Sequence, residues 1–184
     1  MMTIALPPII VVNSASSAGG TTIARKLQNV LPDVRLLLGV DAFLDALPDW
    51  AVRRDVGIRF AADGDIEIAP EYHAREDAWY RMLAELARDG QPLILDEVML
   101  DGGAGQDRLL RLFGDVASAW VGVRCDPDVA EAREAKRPDR VDGMARNQAE
   151  RVHAGVRYDV EVDGGTDAPD DAVDEILTAL LRRE

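Results

Sequence analysis

Residues 8–22 read PIIVVNSASSAGGTT. The run Ile9, Ile10, Val11, Val12 is β-branched without alternation, the pattern of a central strand with both faces covered. Small residues follow at once, and helical spacing then resumes, with Ile23, Leu27 and Val30 predicted on one face and Pro32 closing the helix. Strand, small-residue loop and helix form the context of a phosphate-binding loop. There successive backbone N–H groups point into one concavity, and the positive helix N-terminus faces the anion. Against the pattern G-x-x-x-x-G-K-[ST], Ser14 stands at the first glycine, Gly19 at the second, Gly20 at the lysine and Thr21 at the hydroxyl. The candidate nucleotide-binding residues are therefore Ser14, Ala15, Ser16, Ser17, Ala18, Gly19, Gly20, Thr21 and Thr22. With two of four marker positions changed, the loop alone also reads as an ordinary strand-to-helix turn.

Outward from this stretch, short apolar runs alternate with amphipathic helical ones. Further strands are predicted over 35–40, 93–97, 119–124 and 158–162, and helices over 42–47, 71–88, 107–113, 127–136, 143–153 and 170–182. In the longest helix Trp79, Met82, Leu83 and Leu86 are expected to face inward, and Gly102, Gly103 and Gly105 are expected to form a loop. Between 56 and 70, Ile58, Phe60, Ile66 and Ile68 alternate around Asp63-Gly64, a hairpin signal. The expected architecture is three-layer α/β, with a five-stranded, mostly parallel sheet, flanking helices and a small β-ribbon insertion. No linker or repeat divides the chain, so residues 1–184 are expected to form one domain.

The chain of 184 residues carries a net charge of −13, from 34 acidic and 21 basic residues. That balance argues against nucleic acid and anionic membranes as partners. One cysteine, Cys125, excludes an internal disulfide framework and a cysteine-rich zinc site, and two histidines give little support for a histidine metal centre. Neither an export signal nor a membrane span is read at the start of the sequence, so the expected location is the cytoplasm. Homo-oligomerisation is left open.

Three further elements would complete a phosphoryl-transfer site. Asp96, with Glu97 beside it, ends the strand over 93–97, where a carboxylate can hold Mg²⁺ through water opposite the Thr21 hydroxyl; a solvated strand end is the plainer reading. Asp41 follows the second strand at the same sheet edge and is a candidate base for a substrate hydroxyl, or an N-cap for the helix after it. Arg133, Arg137 and Arg140 surround Pro138 in a segment, about 133–143, suited to a lid that neutralises phosphate charge. Their alternative is a surface ion-pair network with Glu131, Glu134 and Asp139.

Together with NSASSAGGTT at 13–22, several stretches resemble the chloramphenicol phosphotransferase family of P-loop kinases. They are Gly39-Val40-Asp41, Asp96-Glu97-Val98, residues 120–126 (WVGVRCD), Asp139-Arg140-Val141 and residues 158–163 (YDVEVD). The resemblance implies a nucleoside-kinase-like fold, ATP with Mg²⁺, and transfer to a hydroxyl of a small amphipathic molecule, as in antibiotic modification. It places the catalytic base at Asp41, the lid arginines at Arg133, Arg137 and Arg140, and the acceptor pocket after the base. Phe43, Leu44, Leu47 and Trp50 lie in that segment, with Phe60 and Trp79 as further candidates. The family has glycine at position 14 and lysine at position 20, where this chain has Ser14 and Gly20. Lys26 lies about 9 Å further along the same helix and turned away, so the lid arginines are the expected source of replacement charge. The alternative is a P-loop protein that binds a nucleotide or other anion without normal kinase activity.

Overall fold

The computed structural model describes residues 6–48, 50–51, 58–60, 66–137, 143–166 and 168–182. Strands β1 (Ile9–Ser14), β2 (Leu36–Gly39), β5 (Leu93–Glu97), β6 (Ser118–Arg124) and β7 (Val160–Asp163) form one sheet in the order β2-β5-β1-β6-β7. Every pairing in it is parallel, with Val12 beside Asp96 on one side and Val121 on the other. β3 (Ile58–Phe60) and β4 (Ile66–Ile68) form the expected antiparallel ribbon, Phe60 opposite Ile66, while the Asp63-Gly64 turn lies outside the described residues.

Seven helices connect the strands among the described residues: α1 (Gly20–Val30), α2 (Val40–Asp45), α3 (Pro70–Arg88), α4 (Gly102–Phe113), α5 (Pro127–Glu134), α6 (Met144–Arg151) and α7 (Pro169–Leu181). The fully buried β1 sends alternate residues to opposite layers. Ile10 and Val12 pack with Ile23, Leu27, Ile176 and Leu180 of α1 and α7. Ile9 and Val11 pack with Tyr80, Leu83, Leu109 and Phe113 of α3 and α4. That double coverage is why the strand reads as a continuous apolar run.

Two helix faces differ from the expected ones. Val30 is exposed, and α1 instead buries Ile23, Ala24 and Leu27. In α3 the buried stripe is Tyr72, Glu76, Tyr80, Leu83, Ala84 and Ala87, with Met82 exposed and Trp79 and Leu86 on the flank. Counting only apolar residues missed this face because Glu76 and two tyrosines belong to it.

Gly102 and Gly103 begin α4 rather than forming a loop. The Gly103 N–H donates to the Ala154 carbonyl at 2.8 Å, and a Cβ on Gly103 would lie 2.8 Å from the Gly155 carbonyl carbon. Close backbone approach therefore requires glycine there. Asn13 links the same region to the central strand: its amide donates to the Val152 carbonyl at 2.8 Å and the Tyr158 hydroxyl at 2.5 Å, and its Oδ1 accepts the Met99 N–H at 2.9 Å. No helix among the described residues is long and apolar enough to cross a membrane.

Candidate active site

β1 is central, and its neighbours β5 and β6 leave in opposite directions along the sheet order, so a crevice opens at the C-terminal ends of the strands. A cavity of about 440 Å³ occupies it. Ser14, Ala15, Ser16, Ser17, Gly19, Gly20, Thr21 and Thr22 all line the cavity, whereas Ala18 is buried behind the loop. Gly19 caps α1 with φ +97°, no side chain caps the helix, and no acidic residue lies in its first turn. The helix end therefore keeps its positive field and open N–H groups toward the cavity. Gln148 of α6 accepts the Ser16 N–H at 2.8 Å and so braces the loop. The Ser16 and Ser17 hydroxyls are buried with no partner among the described residues. Orphaned donors at the mouth of a helix are what a phosphate would satisfy.

Three carboxylates share the cavity with the loop: Asp41, Asp96 and Glu97 all line it. Asp41 lies in the first turn of α2, not at its cap; the cap is Gly39, and no side-chain hydrogen bond closes it. The N-cap role considered for Asp41 is thus taken up by another residue. A Cβ on Gly20 would lie 3.6 Å from Asp96 Oδ1, which sets that carboxylate beside the start of α1, where Thr21 follows. Thr21 and Asp96 fit one side of a Mg²⁺ site, since this ion takes one or two protein oxygens and fills its shell with phosphate oxygens and water. Among the described residues no group of three histidine, cysteine, aspartate or glutamate side chains could hold a metal alone.

Glu97 is 1% exposed and accepts a hydrogen bond from the Tyr80 hydroxyl at 2.7 Å. Its Oε1 is buried with no partner. Burial pushes its carboxyl well above the usual carboxylate range, the Tyr80 hydrogen bond opposes this, and Glu76, Asp96 and Asp41 add to it. Tyr72, His73, Glu76 and Tyr80 of α3 supply the next wall, with Arg108 of α4. The guanidinium of Arg108 is committed: it donates to Asp77 Oδ1 at 2.7 Å, Glu76 Oε2 at 2.7 Å and the His73 carbonyl at 3.0 Å. The Tyr72 hydroxyl is another buried group without a partner. These wall residues escaped the sequence reading. Their signal was the spacing Tyr72, Glu76, Tyr80, one amphipathic residue every helical turn.

Arg133 and Arg137 also line the cavity, and Arg140 lies outside the described residues. α5 ends at Glu134, so the two arginines do not share a helix face. Arg133 donates to the carbonyls of Gly164 at 2.7 Å and Gly165 at 3.0 Å, holding the turn after β7 against the phosphate loop. The ion-pair alternative falls elsewhere: Glu131 pairs with Arg146, and Glu134 accepts the N–H groups of Gly143 at 3.0 Å and Ala145 at 2.8 Å. Lys26 pairs with Asp170 at 2.6 Å, directed away from the loop as expected.

Of the proposed acceptor residues, Leu44 lines the cavity. Phe43 is buried against Tyr72 and Trp79, with ring centroids 5.3 and 5.9 Å away, so Phe43 and Trp79 stand behind the wall. Leu47 packs on that cluster, Trp50 is exposed, and the side chain of Phe60 lies outside the described residues. Val40, Ile68, Met99 and Leu109 supply the apolar lining instead.

Residues 7–181 match a family model described as chloramphenicol phosphotransferase-like protein. The chain belongs to that family. A Mycobacterium tuberculosis protein (strain ATCC 25618 / H37Rv) bearing the name "Putative O-phosphotransferase" is 29% identical over 171 residues, covering 84% of this chain and 74% of its own. A sugar kinase from Janibacter sp. HTCC2649 superposes with a TM-score of 0.69 at 19% identity, over 94% of this chain and 93% of that one. A shikimate kinase from Acinetobacter baumannii gives 0.59 at 15% identity, over 98% and 96%. The fold is that of the P-loop kinases, and family and fold together make the chain a phosphotransferase. Within the chloramphenicol phosphotransferase-like frame, the departures at Ser14 and Gly20 lie in the cavity wall itself.

Proposed function

We propose that the protein transfers the γ-phosphoryl group of ATP, bound with Mg²⁺, to a hydroxyl of a small amphipathic molecule. The observation that carries this reading is one cavity lined by both the phosphate loop and Asp41. ATP supplies the phosphoryl group and Mg²⁺ offsets its charge. The loop N–H groups and the Ser16 and Ser17 hydroxyls hold the phosphates, and Thr21 and Asp96 hold the ion. Asp41 orients the acceptor hydroxyl and accepts its proton as the new O–P bond forms and the bond to the β-phosphate oxygen breaks. Arg137, with Arg140 on the same segment, serves the charge of the transferring group, and Arg133 positions the turn after β7.

The wall opposite the loop favours an uncharged acceptor. It offers apolar side chains and the unsatisfied Tyr72 hydroxyl and Glu97 Oε1, and its guanidinium at Arg108 is already neutralised. A carboxylate-bearing acceptor would face Asp96 and Asp41, with Arg108 already paired to Glu76 and Asp77. The test is ADP release from ATP and Mg²⁺ across a panel of hydroxyl compounds, chloramphenicol and neutral polyols against hydroxy acids. Turnover confined to hydroxy acids would overturn the acceptor class. Absence of turnover across the panel would favour the second reading, a P-loop protein that binds a nucleotide or another anion without normal kinase activity, to which the missing lysine at Gly20 points; ATP binding or its absence then tells a nucleotide from another anion.

A further inference from the structure

The two departures from the phosphate-loop pattern are one change, not two. Gly20 opens α1 with its Cα facing the last residue of β1. A Cβ built on Gly20 would lie 2.7 Å from Ser14 Cβ and closer still to Ser14 Oγ. Non-bonded carbons do not approach this far, and the obstructing Cβ belongs to a backbone-anchored side chain in a strand paired on both sides. The third neighbour, Asp96 Oδ1 at 3.6 Å, is an ordinary contact. Ser14 is therefore the sole steric obstacle among the atoms around that point.

We infer that Ser14 and Gly20 are a mutually exclusive pair: a side chain at position 14 forbids any side chain at position 20, and the serine hydroxyl occupies the space through which a loop lysine would leave the helix. With Ser14 in place, the loop of this chain has no room for a side chain at position 20. The loop then offers only hydroxyls and N–H groups, and positive charge must come from another part of the cavity lining, where Arg137 lies. The steric pairing holds independently of the kinase reading; only the nucleotide measurement below rests on it.

The experiment is a set of full-length variants followed by thermal unfolding and by calorimetric titration with ATP and Mg²⁺. Gly20→Ala is expected to lower Tm by about 5–10 °C, the range of an overpacked methyl in a chain of this size. Ser14→Gly/Gly20→Ala should return to within about 2 °C of Ser14→Gly alone. Ser14→Ala/Gly20→Ala should not recover, because the Cβ remains. Where Gly20→Lys does not fold, Ser14→Gly/Gly20→Lys takes its place, and folding of the double variant then counts for the pairing. The double lysine variant should also bind ATP at least about tenfold more tightly than the unmodified protein. Additive Tm losses, with Ser14→Gly giving no rescue, would overturn the pairing. Rescue of Tm with no ATP binding by any variant would uphold the pairing and overturn ATP as the phosphoryl donor.

Discussion

Asp41 and Asp96 sit on the same cavity, yet their substitutions should differ in kind. Asp41→Asn keeps shape and removes the proposed proton acceptor, so kcat for phosphoryl transfer should fall about 10²–10⁴-fold with the KM for ATP little changed. Asp96→Asn should instead raise the Mg²⁺ concentration needed for half-maximal activity, by about tenfold or more, because a neutral amide is a poor ligand for a hard cation. Steady-state rates over an ATP and a Mg²⁺ series check both, and identical effects of the two substitutions would contradict the assigned roles. Both acids were legible in the sequence, because Asp96 lies at the C-terminal end of a strand of the parallel sheet and Asp41 follows just after another. Glu76, Tyr80 and Glu97 as a wall were not: a buried acid is recognisable only once its partners are in place.

At the scale of elements, the start of α4 shows how a glycine pattern misleads. Three glycines within four residues read as a loop, but two of them are there because the chain at Ala154 and Gly155 crosses α4 at backbone contact. Gly103→Ala should destabilise the protein by about 1–3 kcal/mol, measured by urea unfolding, with more than that expected if the 153–155 turn cannot shift. Gly105→Ala meets Met99 Sδ at 3.4 Å and Asp101 Cβ at 3.6 Å, ordinary contacts, and should cost less. The α3 face carries the same lesson. Its apolar residues alone suggest a stripe through Met82, whereas the helix turns Tyr72, Glu76 and Tyr80 inward, because Glu76 and Tyr80 reach groups on α4 and β5 and Tyr72 packs on Phe43 of α2, contacts that local spacing does not reveal.

For the whole molecule, stability should depend on pH through His153. This side chain is 6% exposed and shares a hydrogen bond of 2.6 Å with the Tyr158 hydroxyl, which also receives the Asn13 amide. Burial, then the nearby Arg124 charge, lowers its pKa below the ordinary histidine value. The unfolded chain therefore binds a proton near pH 6.5 that the folded chain refuses until lower pH. Its stabilising contribution is full above that pH and declines as pH falls toward the folded value. Thermal midpoints between pH 7.5 and 5.5 should decrease, and His153→Gln should flatten that decrease; an unchanged slope would assign the acid sensitivity to the carboxylates. By itself, the sequence determined the parallel α/β class, the phosphate loop at the end of β1, and the acids at the ends of β2 and β5. Those features are written in local runs: uninterrupted β-branched residues for a doubly covered strand, small residues before a helix, carboxylates at strand ends. Only the tertiary structure decided which side chains face one another across the cavity, which arginine is committed to a turn, and why Ser14 and Gly20 go together. Such contacts join residues from separate elements, and their energetics depend on distances of a few ångströms that no spacing along the chain encodes.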